Sequence, residues 1–243
     1  MFKKFKQRAI EPEFMDDFNT GGKELREALR HLSRLNWIFG ASGPTLYGVK
    51  QLWREAGKPK RLSILDVGAG SGDVNQRLLK WADRHQIEIT IFLTDITDEA
   101  CEEARQLFCE DRRVQVFRSD LFDLSEGCAD VITGTQFVHH FSANELPKVV
   151  DHMLKASRIG VVINDIHRHW IPWAAVWLTT RIISKNRYIR NDGPLSVAKG
   201  FRSEDWEYLR RFIGNSGMFY TWRPLFRYAV VMWKSKDEFN HRS

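Results

Sequence analysis

Residues 63–73 read Ser63-Ile64-Leu65-Asp66-Val67-Gly68-Ala69-Gly70-Ser71-Gly72-Asp73. A short apolar strand ends in an acid, a glycine-rich turn follows, and a helix is expected to begin after it. Glycines at such a turn take positive φ and let backbone approach a ligand closely. The spacing is G-x-G-x-G. A nicotinamide fingerprint, G-x-G-x-x-G, needs a glycine at 73, where Asp73 stands and would repel a bound diphosphate. Asp66, two residues before the first glycine, suits a ligand that carries an ammonium group better than one that carries phosphates.

Outward from this loop the rhythm is apolar strand, loop, helix. Strands are predicted at Ser63–Val67, Ile89–Thr94, Val114–Arg118, Val131–Thr135 and Gly160–Asn164, with helices near 73–84, 98–108 and 144–156. Alternating elements with short, mostly apolar strands predict a parallel sheet covered on both faces, a doubly wound α/β fold. Toward the end, Ser203 is a helix N-cap followed by Glu204 and Asp205. Strands near 218–223 and 226–233, separated by Pro224 and Leu225, predict an antiparallel hairpin closing a seven-stranded sheet.

Acids recur at the predicted strand tips. Asp95 ends the second strand, where a carboxylate can accept both hydroxyls of an adenosine ribose, and Asp120-Leu121 follows the third. The tips of successive strands are where open α/β sheets bind ligands.

Residues 62–164 resemble the class I S-adenosylmethionine-dependent methyltransferases. The resemblance rests on Asp66 to Gly72, Asp95, Ser119-Asp120-Leu121 and the run Ala129 to Phe141. That last run is similar to the segment after strand 4 in small-molecule methylases of the ubiquinone, menaquinone and polyketide type. The resemblance implies S-adenosylmethionine as cofactor and S-adenosylhomocysteine as product. It implies that Asp66, Gly68, Ala69, Gly70 and Gly72 hold the methionine end, with Asp95 and Ile96 at the ribose, Asp120 and Leu121 at the adenine, and Gln136 nearby.

Methyl transfer from a sulfonium is an in-line displacement in which the protein aligns the acceptor and excludes water. A phenol, enol or acidic carbon also gains from a base near neutral pKa, which directs attention to histidine. His139 and His140 follow the fourth strand and His167 the fifth. His139 and His167 are the expected base or acceptor-orienting residues. His140, Arg168, Trp170 and Trp173 are expected around the acceptor, a small hydrophobic or aromatic molecule methylated at a hydroxyl oxygen.

Residues 1–58 read as an N-terminal helical extension and 59–243 as the methyltransferase domain. Residues 165–200 are too long for an ordinary loop and are expected to form an inserted helical cap over the acceptor site. Leu25, Ala28, Leu29, Leu32 and Leu35 mark an amphipathic helix, and a second is expected from Thr45 to Glu55 after a turn at 39–44. Phe2, Lys3, Lys4, Phe5, Lys6 and Arg8 form a basic, aromatic arm suited to weak contact with a membrane surface.

The apolar stretch 171–184 is shorter than the roughly 20 residues of a span. Three cysteines, Cys101, Cys109 and Cys128, show neither zinc spacing nor a disulfide framework, and a cytoplasmic setting without a metal is expected. The net charge of +6 raises nucleic-acid methylation as a rival. Amino-group DNA methylases carry an Asn or Asp, Pro-Pro-Tyr or Phe run after strand 4, where Thr135-Gln136-Phe137-Val138 stands here, so no nucleic-acid partner is expected. The other rival is a non-catalytic protein that binds the cofactor and serves as a scaffold.

Overall fold

In the computed structural model, which describes residues 5–16, 21–213 and 217–234, seven strands form one sheet. They are β1 (Arg61–Val67), β2 (Glu88–Asp95), β3 (Val114–Arg118), β4 (Ala129–Thr135), β5 (Ser157–Ile166), β6 (Met218–Arg223) and β7 (Arg227–Trp233). Their order is β3-β2-β1-β4-β5-β7-β6. β1 to β5 are parallel, and β7 runs antiparallel between β5 and β6. The order reverses between β1 and β4, which opens a crevice at their C-terminal ends. Three residues, not two, join the terminal hairpin, and Leu225 and Phe226 both adopt positive φ.

Strand period decides which side chains meet which helices. In β1, Leu62 and Ile64 pack toward α2 (Ser42–Glu55), α3 (Gln76–His85) and α4 (Asp98–Leu107). Leu65 and Val67 face the other way, toward α5 (Leu146–Ala156) and α8 (Ser203–Ile213). Both faces are buried, so the strands read as nearly continuous apolar runs. α2 begins at Ser42, earlier than expected, because Pro44 falls in its first turn, where a missing N–H costs nothing. Although it precedes residue 58, α2 is built into the sheet's covering layer through Val49 and Leu52. A Cβ at Gly48 would lie 2.4 Å from Val162 Cγ1, so only glycine lets α2 settle this closely on β5.

α1 (Lys23–Ile38) lies across the C-terminal end of the sheet. Its Leu25 and Leu29 pack on Ala100 of α4, and its Ala28 and Leu35 on Tyr188 and Ile189. The latter pair belongs to α7 (Arg187–Lys199), which with α6 (Trp170–Ile183) forms the helical segment expected at 165–200. α6 keeps Trp170, Ile171, Trp177, Leu178 and Ile182 exposed. Among the described residues no helix is long and apolar enough to cross a membrane.

The N-terminal arm departs from expectation. Phe5 is buried with its ring edge-on to Trp173. Arg8 donates to the carbonyls of Lys199 (2.8 Å), His139 and Phe141 (2.9 Å each) and stacks over Phe201. Residues 5–16 are thus a strap bound across the molecule, and Phe5 and Arg8 are unavailable to a membrane. Phe2, Lys3 and Lys4 lie outside the described residues.

Candidate active site

The glycine loop forms one wall of a cleft of about 510 Å³ at the C-terminal ends of β1, β2 and β4. Gly68, Gly70 and Gly72 all hold positive φ, of 58°, 56° and 72°. At Gly68 the demand is double, since a Cβ would lie 2.3 Å from the Phe137 ring. Gly68, Ala69, Gly70, Asp95, Ile96, Asp120, Leu121 and Gln136, all expected at the cofactor, line this cleft. α1 supplies the opposite wall through Leu25, Leu29 and Leu32.

Asp95 is held rigidly. Its Oδ2 accepts from the Gly70 N–H (3.0 Å), and its Oδ1 from Thr97 N (3.0 Å) and Oγ1 (2.9 Å). Oδ2, with one donor, keeps an acceptor site. Asp120 caps the turn 121–123 through Phe122 N at 2.8 Å.

Two predicted cofactor residues lie off the cleft. Asp66 shares strand parity with Leu62 and Ile64, so it turns under the loop. There it accepts from Asn75 Nδ2 (2.7 Å) and Thr133 Oγ1 (2.6 Å). Burial pushes its pKa up to about 6. It fastens β1 to β4 and α3, and the ammonium-facing role assigned to it is corrected. Gly72 backs onto Leu93, where a Cβ would come within 2.4 Å. Beside the glycine loop, the carboxylate that lines the cleft is that of Asp73, whose Oδ1 takes bonds from Ser71 Oγ (3.0 Å) and Asn36 Nδ2 (3.2 Å). It stands where an ammonium group could be received, and burial raises its pKa.

The histidines divide differently from expectation. His139 is buried, with Nδ1 2.8 Å from Asp165 Oδ1 and Nε2 3.5 Å from Glu13 Oε1. Burial alone would lower its pKa, but Asp165 and Glu13 outweigh burial and hold it at about 9. It is therefore an imidazolium at neutral pH, off the cleft, and no general base. His140 lies on the cleft wall with Phe137 and Phe141, and its Nδ1 meets Asp16 Oδ1 at 2.8 Å. The two rings stack with centroids 4.4 Å apart, His139 buried beneath and His140 on the cleft wall.

His139 yields a pH test. Its folded pKa is raised, so its contribution to stability is complete below pH 6.5 and lost as pH rises through about 9. Wild-type protein should lose at most about 3 kcal/mol over that window, while His139→Gln should be flat. Thermal midpoints at several pH values check this; parallel curves for the two proteins would refute it.

The remaining predicted residues line neither cleft nor cap interior. His167 packs among the rings of Phe226, Tyr228 and His169. Arg168 is buried and donates to the carbonyls of Phe5 and Gly200 and to Asp205, tying the strap to the start of α8. Trp170 is exposed beside His169, and Trp173 packs on Phe5. The segment 165–200 contributes smaller residues instead. Pro172 and Val176 of α6 and Gly193 and Val197 of α7 enclose a second chamber of about 50 Å³. It shares Leu32, Asn36 and Gln136 with the cleft.

Sequence reading missed Glu13, Asp16, Asn36, Asp73 and Arg227 as site residues. The parity of Asp66 could have excluded it, but no local pattern marks the strap. Glu13, His139 and His140 could offer ligand atoms within 4.8 Å of one another. Lys199 Nζ lies 3.7 Å from the same Glu13 oxygen, so a cationic partner already occupies that neighbourhood.

The chain matches a family model described as a methyltransferase domain over residues 65–163. No curated protein matches it. Among solved structures it is similar to the human N-acetylserotonin methyltransferase in complex with S-adenosylmethionine, at 14% identity and TM-score 0.61, over 94% of this chain and 60% of that one. A methyltransferase dependent on the same cofactor from Aquifex aeolicus gives 15% and 0.56, over 86% and 97%. The CMeT domain of the citrinin polyketide synthase gives 14% and 0.53, over 71% of this chain, which spans 46% of that structure's length. Residues 65–163 thus carry a methyltransferase domain, and the strand order, the cradle of left-handed glycines and the acids at the tips of β2 and β3 belong to a fold shared with S-adenosylmethionine-dependent methyltransferases of known structure.

Proposed function

We propose that this protein methylates a small, largely apolar or aromatic acceptor at a hydroxyl oxygen. Bound S-adenosylmethionine supplies an electrophilic methyl group. The chain's own residues then have three tasks. Asp95 and the loop 68–71 fix the cofactor, the apolar side chains of α1 with Phe137 and Phe141 exclude water, and His140 removes the acceptor proton. Asp16 orients His140 and stabilises the imidazolium formed, as a carboxylate does for a catalytic histidine elsewhere.

The observation that carries this reading is the pairing of His140 with Asp16 on the wall of the same cleft that the glycine loop lines. The human relative named for N-acetylserotonin is consistent with a small aromatic acceptor. A second reading, transfer to carbon, draws on the similarity to the carbon methyltransferase CurJ, at TM-score 0.54 and 15% identity, over 73% of this chain and 50% of that one. Both acceptors need a base, so His140 serves either.

The test is label transfer from methyl-labelled cofactor to simple phenols, 1,3-dicarbonyl compounds and aromatic amines, with the product methyl located by NMR. O-methyl signals from phenols are expected. Label only on carbon would move the assignment to the second reading, and label only on nitrogen would overturn both.

A further inference from the structure

Arg227, the first residue of β7, is 4% exposed. Its Nε donates to Phe39 O at 3.1 Å, and its Nη2 lies 3.4 Å from Gln136 Oε1. Its Nη1 is buried with no hydrogen-bond partner. Among the described residues no carboxylate forms an ion pair with it. Asp165 and Asp73 act on it only through their fields, and their own oxygens are engaged by His139 and by Ser71 and Asn36. Burial pushes its pKa down to about 10, so it remains charged at neutral pH. A buried guanidinium without a counter-ion is costly, because desolvation is uncompensated. Such a group is kept where an anion arrives to complete it.

Arg227 lines the second chamber, together with Leu35, Val176 and Val197. The partition from the cleft is polar. Gln136 Nε2 donates to Asn36 Oδ1 at 2.7 Å, and both side chains face both spaces. Gln136 holds φ at 53°, a strained value for a side chain larger than glycine. The chamber's 50 Å³ is room for about one or two waters, roughly the size of one carboxylate group.

We propose that the second chamber is an anion subsite of the acceptor, in which Arg227 binds a carboxylate on a small apolar or aromatic acid while the rest of the acceptor lies in the cleft. The acceptor class is then a hydroxylated organic acid, not a neutral phenol. This rests on the methyltransferase reading above and narrows its substrate.

The test uses protein saturated with S-adenosylhomocysteine and four probes, benzoate and phenylacetate against benzamide and phenylacetamide, each at about 10 mM. The expected result is a rise in thermal midpoint with the carboxylates and little with the amides. Arg227→Met should weaken carboxylate binding at least ~10-fold, as loss of a charge-assisted pair does. It should leave S-adenosylhomocysteine affinity within about twofold. A purely structural arginine would behave oppositely, with lower stability in Arg227→Met and unchanged probe binding.

Val176→Phe, which fills the chamber from α6 and leaves Arg227 itself in place, should also abolish the carboxylate response, and it keeps the test open if Arg227→Met does not fold. Equal response to acids and amides, or acid binding that survives in either folded variant, overturns the proposal. Absent S-adenosylhomocysteine binding in wild type would instead sink the methyltransferase reading itself.

Discussion

Replacing Asp95 by alanine is expected to weaken S-adenosylmethionine and S-adenosylhomocysteine binding by about 10- to 100-fold while the protein remains folded. The estimate follows from what the carboxylate does. Three of its roughly four acceptor sites are filled by Gly70 N, Thr97 N and Thr97 Oγ1, which leaves one on Oδ2 for a ribose hydroxyl. A hydrogen bond to a charged group contributes about 1.5–3 kcal/mol, or roughly 10- to 150-fold in affinity. Alanine also frees the Gly70 N–H, which loosens the loop that holds the rest of the cofactor. Asp95→Asn keeps an acceptor oxygen and should fall between wild type and alanine. Calorimetric titration with both adenosyl ligands, and with NAD as a control expected not to bind, measures the effect. Unchanged affinity in the alanine variant, with circular dichroism intact, would remove Asp95 from the cofactor site.

Why the cofactor half was legible in sequence and the acceptor half was not has a physical explanation. The residues read as cofactor ligands lie within a few positions of strand ends, and strand ends are marked by local pattern. The predicted strands all exist, extended mainly at their ends: β5 runs to Ile166 where Asn164 was expected. The exceptions are Asp66 and Gly72: Asp66 falls to parity, since a strand's last residues alternate between two faces and one lies under the loop, and Gly72 backs onto Leu93. The acceptor half is assembled from distant pieces. His140 meets Asp16 across more than a hundred residues, and Arg227 meets Gln136 between β7 and the turn after β4.

The tryptophans of α6 illustrate the same limit. Apolar on every side, the helix gives no periodic sign of which face turns inward. Its length and aromatic composition after β5 suggest Trp170 and Trp173 at the acceptor, yet α6 lines the second chamber with Pro172 and Val176, turns Trp170 and Trp177 outward and packs Trp173 on Phe5.

The second large effect concerns His140. His140→Ala should lower kcat by about 10²- to 10⁴-fold on a cognate hydroxyl acceptor, the range for removal of a general base, with cofactor affinity nearly unchanged. His139→Ala offers the contrast that makes the experiment decisive. His139 is charged at neutral pH between Asp165 and Glu13, so removing it leaves two buried carboxylates without their shared cation. The cost should therefore fall first on stability, not on the chemical step.

Asp16 separates orientation from proton transfer. The His140 imidazole and the Lys199 ammonium hold the Asp16 carboxyl below the usual carboxylate range against the opposing effect of burial, so it stays ionised through neutral pH. Asp16→Asn keeps the shape but not the charge. It should reduce kcat less than His140→Ala does, because the ring keeps a hydrogen-bond partner and loses only the charge that stabilises the imidazolium formed during transfer. A merely structural Asp16 would change stability and leave kcat in place. Equal loss of rate in His139→Ala and His140→Ala at matched stability would mean that neither ring takes the proton. The acceptor would then have to arrive already ionised, as an acid or enol whose own pKa does the work that the cleft does not.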